Sequence, residues 1–513
     1  MIALAGRCFT VLGMLVCWSF ASAVQAAPTE KPAEKSAPAP QAPAAAEKFV
    51  TSHRGVFDGL EVNYTATAED TILKNGHGEP AGAIFSFSYV RQGVKDPTNR
   101  PVTFVFNGGP GSSSVWIHVG ALGPYRVAFD DVAHPQTVGP FRVVENPLSP
   151  LDATDLVFID PVGTGFSRFV GNGKPEDFYG VEADGKATLN FIEQWLTKNR
   201  RWASPKFVIG ESYGTVRAAV LAKLMGGGPS GGGVLPGVSL NGIAIVGTAL
   251  SFTAGDISTQ GLLPSLAATA WYHNKIDKKG RTFDAFMRDV REFDSTEYAV
   301  ALYAGNRLPD NQRHAIASRL AAMTGLSEGF VLEHDLRISG HDFANELLRD
   351  QKTQVGQYDS RFTLGSKGAA NDPVADDPAM GQYSAAFVAG FHQYIREVLQ
   401  VAVDQPYQVI SFSEVNSRWS WGPLGMLASH AEDLEAAMRR NPSMQLLVAS
   451  GYYDLVTPFA QAEYVVGHTA IPADRVQYKT YESGHMVYLG EPAARAFVAD
   501  IRKLVSGSSK SSQ

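Results

Sequence analysis

Phe207-Val208-Ile209-Gly210-Glu211-Ser212-Tyr213-Gly214-Thr215 reads as a short apolar strand, a glycine-flanked serine and the start of a helix. A serine on a sharp strand-to-helix turn stands exposed at the sheet edge, and the turn needs small neighbours. The pattern Gly-x-Ser-x-Gly is common by itself. This chain repeats it at 228–232 around Ser230 and at 325–329 around Ser327. Only Ser212 has an apolar run before it (207–209) and a helix-forming run after it (215–225). Ser230 sits in a glycine-rich loop and Ser327 between two expected helices. Ser212 is therefore the candidate nucleophile.

Outward from Ser212, short apolar runs recur at 102–106, 156–159, 241–246, 445–449 and 476–481. Alternating segments at 60–66 and 83–92 read as half-buried strands, and 182–199 and 492–505 as helices. Buried strands alternating with helices predict a mostly parallel α/β sheet whose site lies at the strand C-terminal ends. The stretch 251–404 is richer in helix and charge, with helices expected at 282–293, 309–322 and 385–401 and a loop at 365–381. The strand pattern resumes after about residue 405. The middle is thus expected to be a helical cap inserted into one sheet, between core parts at 50–250 and 405–505. Pocket contacts are expected from this cap.

A nucleophilic serine needs a base, and the base an orienting carboxylate. In hydrolases of this layout the acid and then the histidine follow the serine. Asp454 lies after the run 445–449, and His485 after 476–481, in Glu482-Ser483-Gly484-His485-Met486. Gly484 is expected to let the side chain reach across the sheet edge. His468 is placed at a surface helix end, and Asp160 precedes the serine, so neither competes. Asn107-Gly108-Gly109-Pro110-Gly111-Ser112-Ser113-Ser114 follows the run 102–106 and suits oxyanion binding. The N–H groups of Gly109 and Tyr213 are the candidate donors. A phosphate loop is disfavoured, because no Gly-Lys-Ser/Thr follows.

The chain has 513 residues, with 44 Lys+Arg against 51 Asp+Glu, a formal net charge of −7. This balance gives no basic footprint for nucleic acid. Its 44% hydrophobic content excludes a mainly disordered chain. The two cysteines, Cys8 and Cys17, cannot make a disulfide framework or a cysteine-rich metal site. Both lie in a segment with Arg7, an apolar run at 9–20 and small residues Ala21-Ser22-Ala23-Val24-Gln25-Ala26. That is the layout of an export signal, with cleavage expected after Ala26 or Ala23. The apolar run is short for a membrane span. A Pro/Ala-rich tether at 27–49 and a Ser/Gly/Lys tail at 506–513 are expected to be disordered. Periplasmic or secreted residence is expected, with no stable membrane span after cleavage.

Asn107–Ser114, Asp160-Pro161-Val162-Gly163-Thr164-Gly165-Phe166-Ser167, Gly210–Gly214, Asp454 and Gly484-His485-Met486 together resemble the serine carboxypeptidases of the α/β-hydrolase fold. The resemblance implies a Ser212–Asp454–His485 triad, an oxyanion hole at the first glycine-rich segment and a helical cap. It also implies release of C-terminal amino acids from peptides, usually in acid, with no metal or cofactor. In that family the substrate carboxylate is bound by an Asn, a following Gly, the Glu before the nucleophile and a second Glu. Asn107, Gly108 and Glu211 match; Ala121 stands where the second Glu would precede Leu122-Gly123-Pro124. Ser112 replaces a usual Cys, Val105 a usual Trp, and Tyr213-Gly214-Thr215 replaces Tyr-Ala-Gly. These departures suggest a divergent, bacterial branch. An esterase or acyltransferase with the same triad is the alternative, and an inactive binding protein a remote one.

Overall fold

The computed structural model describes residues 46–129, 131–228, 235–252, 255–366 and 372–507. The expected export signal, nearly all of the tether, Ser230 and most of the tail lie outside these residues. Fourteen strands are present among them: β1 (Lys48–Phe57), β2 (Leu60–Lys74), β3 (Pro80–Arg91), β4 (Val102–Phe106), β5 (Tyr125–Val127), β6 (Val143–Glu145) and β7 (Asp155–Ile159). They continue with β8 (Arg168–Phe169), β9 (Lys206–Glu211), β10 (Gly242–Val246), β11 (Thr353–Val355), β12 (Thr363–Gly365), β13 (Gln445–Gly451) and β14 (Val476–Tyr481).

One sheet carries the order β1-β2-β3-β7-β4-β9-β10-β13-β14, with β8 on β3. The pairs from β7 to β14 are parallel, and β1, β2 and β3 form an antiparallel edge. Every residue of β4, β7, β9 and β10 is buried. That is why these strands read as continuous apolar runs: helices cover both faces of a parallel sheet. The arrangement is that of an α/β hydrolase.

The helices are α1 (Val115–Ile117), α2 (Val181–Asn199), α3 (Tyr213–Met225), α4 (Asp256–Tyr272), α5 (Phe283–Phe293), α6 (Ala299–Ala304) and α7 (Asp310–Thr324). After them come α8 (Glu328–Glu333), α9 (Gly340–Glu346), α10 (Pro378–Gln393), α11 (Ala431–Arg440), α12 (Phe459–Gly467) and α13 (Glu491–Gly507). α2, α3 and α11 share a core with one sheet face, and α10 and α13 with the other. α4 to α9 build a third core, joined by Tyr453, Leu455 and Phe459 from the segment after β13.

β10 and β13 are direct parallel neighbours although residues 247–444 separate them. Most of that insertion forms the third core. α10 does not: its Phe387 and Phe391 belong to the sheet core that α13 also shares, with Phe391 edge-on to Phe87 of β3. α10 also starts earlier than its apolar pattern suggests. Asp377 accepts from the N–H groups of Ala379 and Met380 at 3.0 Å, and Pro378 opens the first turn. The loop expected at 365–381 therefore holds a helix start. α4 is buried nearly all round, which erases the one-sided pattern by which a helix is read.

Candidate active site

Ser212 joins β9 to α3 with φ +59 and ψ −127, a conformation side chains rarely adopt. Close backbone packing enforces the turn. A Cβ on Gly210 would stand 2.1 Å from the Gly214 carbonyl oxygen. A Cβ on Gly108 would stand 2.3 Å from the Tyr213 nitrogen, so the glycine-rich loop after β4 lies directly against the elbow. Ser212 N donates to the Val246 carbonyl at 2.8 Å, and Thr215 Oγ1 donates to the Ser212 carbonyl at 2.7 Å. Ser212 is half-buried while Glu211 and Tyr213 on either side are buried. Ser327 instead caps α8, accepting from Phe330 N at 3.1 Å.

Asp454 follows β13 and is fully buried. Its Oδ1 accepts from the N–H groups of Val456 and Thr457 at 2.8 and 2.9 Å. Its Oδ2 accepts from Thr457 Oγ1 at 2.5 Å and from His485 Nδ1 at 2.9 Å. With Nδ1 donating, Nε2 of His485 is left as the acceptor. Burial pushes the imidazole's pKa down, but the Asp454 carboxylate outweighs it, and the net shift is upward. Gly247, just past β10, lies where a Cβ would come 2.9 Å from His485 Cε1. His468 caps α12 with Nδ1 on the Tyr464 carbonyl at 2.7 Å, and so belongs to a helix end.

A segment of the insertion, Tyr358-Asp359-Ser360-Arg361, grips the histidine loop. His485 N donates to the Tyr358 carbonyl at 2.6 Å, and Gly484 N to Asp359 Oδ2 at 3.1 Å. Arg361 pairs with Asp359 at 2.6 Å and reaches the Glu482 and Leu489 carbonyls at 2.9 and 3.1 Å. A Cβ on Gly484 would stand 2.4 Å from both Asp359 Cβ and the Tyr358 oxygen. Gly484 is small because this segment approaches it, a different reason from the reach across the sheet edge read from the sequence.

Gly109 is exposed within an otherwise buried loop and has φ +105. Asn416 clamps it: Nδ2 donates to the Gly109 carbonyl at 2.9 Å, and Oδ1 accepts from Gly111 N at 3.1 Å. Tyr213 opens α3, where the first N–H groups have no acceptor within the helix. Arg217, fully buried in α3, donates to both Asp184 oxygens at 2.8 and 3.0 Å and to the Asn107 carbonyl at 2.6 Å. Asp160 accepts from Ser114 N and Oγ at 2.8 and 2.7 Å and from the Tyr407 hydroxyl at 2.7 Å. It braces the loop from beneath. Ser112 accepts from Trp116 Nε1 at 2.9 Å.

Glu211 is buried, and Oε2 accepts from the Tyr488 hydroxyl at 2.8 Å. Burial raises its pKa to about 7 against the lowering effects of His485, Tyr488 and Asn107. Asn107 Oδ1 accepts from Ile117 N at 3.2 Å. Ala121 is buried, so no carboxyl pairs with Glu211 from that position. A cavity of about 1050 Å³ is lined by Tyr179, Val181, Lys223, Trp421 and His430, and none of the candidate triad or oxyanion residues lines it. Trp421 meets the Tyr213 ring edge-on at 5.6 Å. The cavity's walls come from Tyr179, α2, α3 and the segment before α11.

A sequence profile for serine carboxypeptidases matches residues 82–491. The chain belongs to the serine carboxypeptidase family. It is a serine-type hydrolase of the carboxypeptidase kind. Serine carboxypeptidase-like 27 of Arabidopsis thaliana is 24% identical over 418 residues, 80% of this chain and 78% of that protein. Pheromone-processing carboxypeptidase kex1 of Talaromyces marneffei is 31% identical over 176 residues, 34% of this chain and 25% of that protein. The solved structure of the Saccharomyces cerevisiae prohormone-processing carboxypeptidase Kex1 has a TM-score of 0.53 at 15% identity. That comparison covers 86% of this chain and 91% of the other, and shows the shared fold. These relatives are from a plant and two fungi and do not support the bacterial branch.

The site residues missed by sequence reading are Asn416, Arg217, Tyr488 and the pair Asp359–Arg361. Only Arg217 left a signal, as one of two cations, with Lys223, in the largely apolar helix Tyr213–Met225.

Proposed function

We propose that the chain removes C-terminal residues from peptides, with Ser212 as nucleophile, His485 as base and Asp454 as the group orienting it. The Ser212 hydroxyl attacks the acyl carbon and His485 Nε2 takes its proton. His485 then returns that proton to the leaving amine. The N–H groups of Gly109 and Tyr213 receive the charge that develops on the carbonyl oxygen. Water, activated by the same imidazole, cleaves the acyl-enzyme. The observation that carries this reading is the buried Asp454–His485 bond at 2.9 Å, on loops next to a serine elbow.

Asn107, Gly108 and Glu211 bind the substrate's free carboxylate. Glu211 does so in its protonated form, as a donor. The peptide on the acyl side of the scissile bond runs toward the cavity behind Tyr213 and Trp421. Residues 1–26 direct export, and among the described residues no helix is long and apolar enough to cross a membrane.

The test compares a peptide bearing a free C-terminus with its C-terminal amide across pH. Both lose turnover as pH falls and His485 gains a proton. Only the free acid also loses turnover as pH rises through about 7 and Glu211 ionises. Equal cleavage of both peptides at every pH contradicts carboxylate recognition. It favours instead the esterase or acyltransferase reading, for which the apolar Ala121 speaks.

A further inference from the structure

Tyr488 lies three residues beyond His485 on the same loop, and its side chain is fully buried. Its ring packs on Gly120, where a Cβ would stand 2.5 Å from Tyr488 Cε2. Gly120 is the neighbour of Ala121. The phenol thus fills the space beside the position that lacks the second carboxyl, and its hydroxyl reaches Glu211 Oε2 at 2.8 Å.

We propose that Tyr488 is a specificity-determining residue: a permanent donor that occupies Oε2 of Glu211 and leaves Oε1 to carry the proton offered to the substrate's carboxylate. The proposal rests on the reading of Glu211 as a carboxylate-binding group.

A phenol and a carboxyl act differently here. Two carboxyls share a proton, and each makes the other harder to ionise. Burial, and then the charge of Glu211, push the Tyr488 phenol well above its ordinary range, so it stays neutral wherever the enzyme works. Its hydroxyl donates to Glu211, and donation favours the ionised form of that carboxyl. The other groups facing Glu211 are the His485 imidazole and the Asn107 amide, which also favour ionisation, and Asp454, which opposes it. The Tyr383 hydroxyl lies within electrostatic reach and is itself held neutral by burial. Carboxylate capture is therefore governed by one ionisable carboxyl, whose titration burial raises and Tyr488 draws back down.

The experiment measures the ratio of kcat/KM for the free-acid peptide to that for its amide, across pH. The ratio cancels changes shared by both substrates. In the parent enzyme it falls tenfold per pH unit above the ionisation of Glu211, as loss of one proton requires. Tyr488→Phe removes a donor from the carboxylate, so the fall moves to higher pH, by about one to two units. Replacing Tyr488 with 3-fluorotyrosine, a stronger donor of nearly the same size, moves it to lower pH and keeps the test valid should Phe disturb folding. Glu211→Gln abolishes the fall. A fall abolished by Glu211→Gln but unmoved by either change at Tyr488 overturns the role of Tyr488 alone. A flat ratio in the parent enzyme overturns the carboxylate reading beneath it.

Discussion

Asp454 is held so completely that its replacement isolates orientation from charge. Four donors converge on its two oxygens: two backbone N–H groups, Thr457 Oγ1 and His485 Nδ1. Asp454→Asn is expected to keep the fold but present an N–H where His485 Nδ1 needs an acceptor. The imidazole then takes the wrong tautomer, and kcat falls by on the order of 10⁴. Steady-state kinetics checks this, with circular dichroism as the control for folding. The candidate nucleophile, acid and base stood out in the sequence because each lies in a small-residue cluster just after an apolar run, in a fixed chain order. Asn416 and Tyr488 were not legible. Each reaches its partner, Gly109 or Glu211, across more than 250 positions of chain, and no local pattern encodes such an approach.

At the scale of elements, the histidine loop is shaped from outside. Asp359 and Arg361, from the insertion, hold the Gly484 N–H and the carbonyls of Glu482 and Leu489. Asp359→Ala is expected to leave the sheet intact but let the loop relax by a fraction of an ångström. Misplacement on this scale costs roughly 10- to 100-fold in rate. The decrease should appear in kcat and in the rate of fluorophosphonate labelling, and Asp359→Asn should recover part of it by still accepting from Gly484. Unchanged labelling in Asp359→Ala would mean that the loop holds its own shape. The elements that sequence reading found are those with one-sided or fully apolar patterns, such as β4, β9 and α2. α4 was missed because burial on nearly every side leaves no periodicity, and the start of α10 because Asp377 and Pro378 set it rather than an apolar repeat. β1 was not read as a strand, and its first two residues, Lys48 and Phe49, fell in the tether, because a polar edge strand carries little apolar signal.

For the whole molecule, the insertion is a structural partner of the candidate site. The segment after β13 that carries Asp454 also gives Tyr453 and Leu455 to the core of α4 to α9. The segment that grips His485 comes from the same insertion. Two members of the candidate triad are thus tied to the cap, while Ser212 is tied to the sheet through Val246. Correct alignment of the three requires the cap and the sheet to be docked. The mild net charge and the α/β class were readable from composition and pattern, whereas this docking depends on which side chains meet across the insertion. Whether Ser212 is the nucleophile of this assembly is decided by peptide mapping after reaction with a fluorophosphonate. A single phosphonylated residue, Ser212, is expected, with no labelling of Ser212→Ala. Modification at another serine, or undiminished labelling of Ser212→Ala, would contradict it.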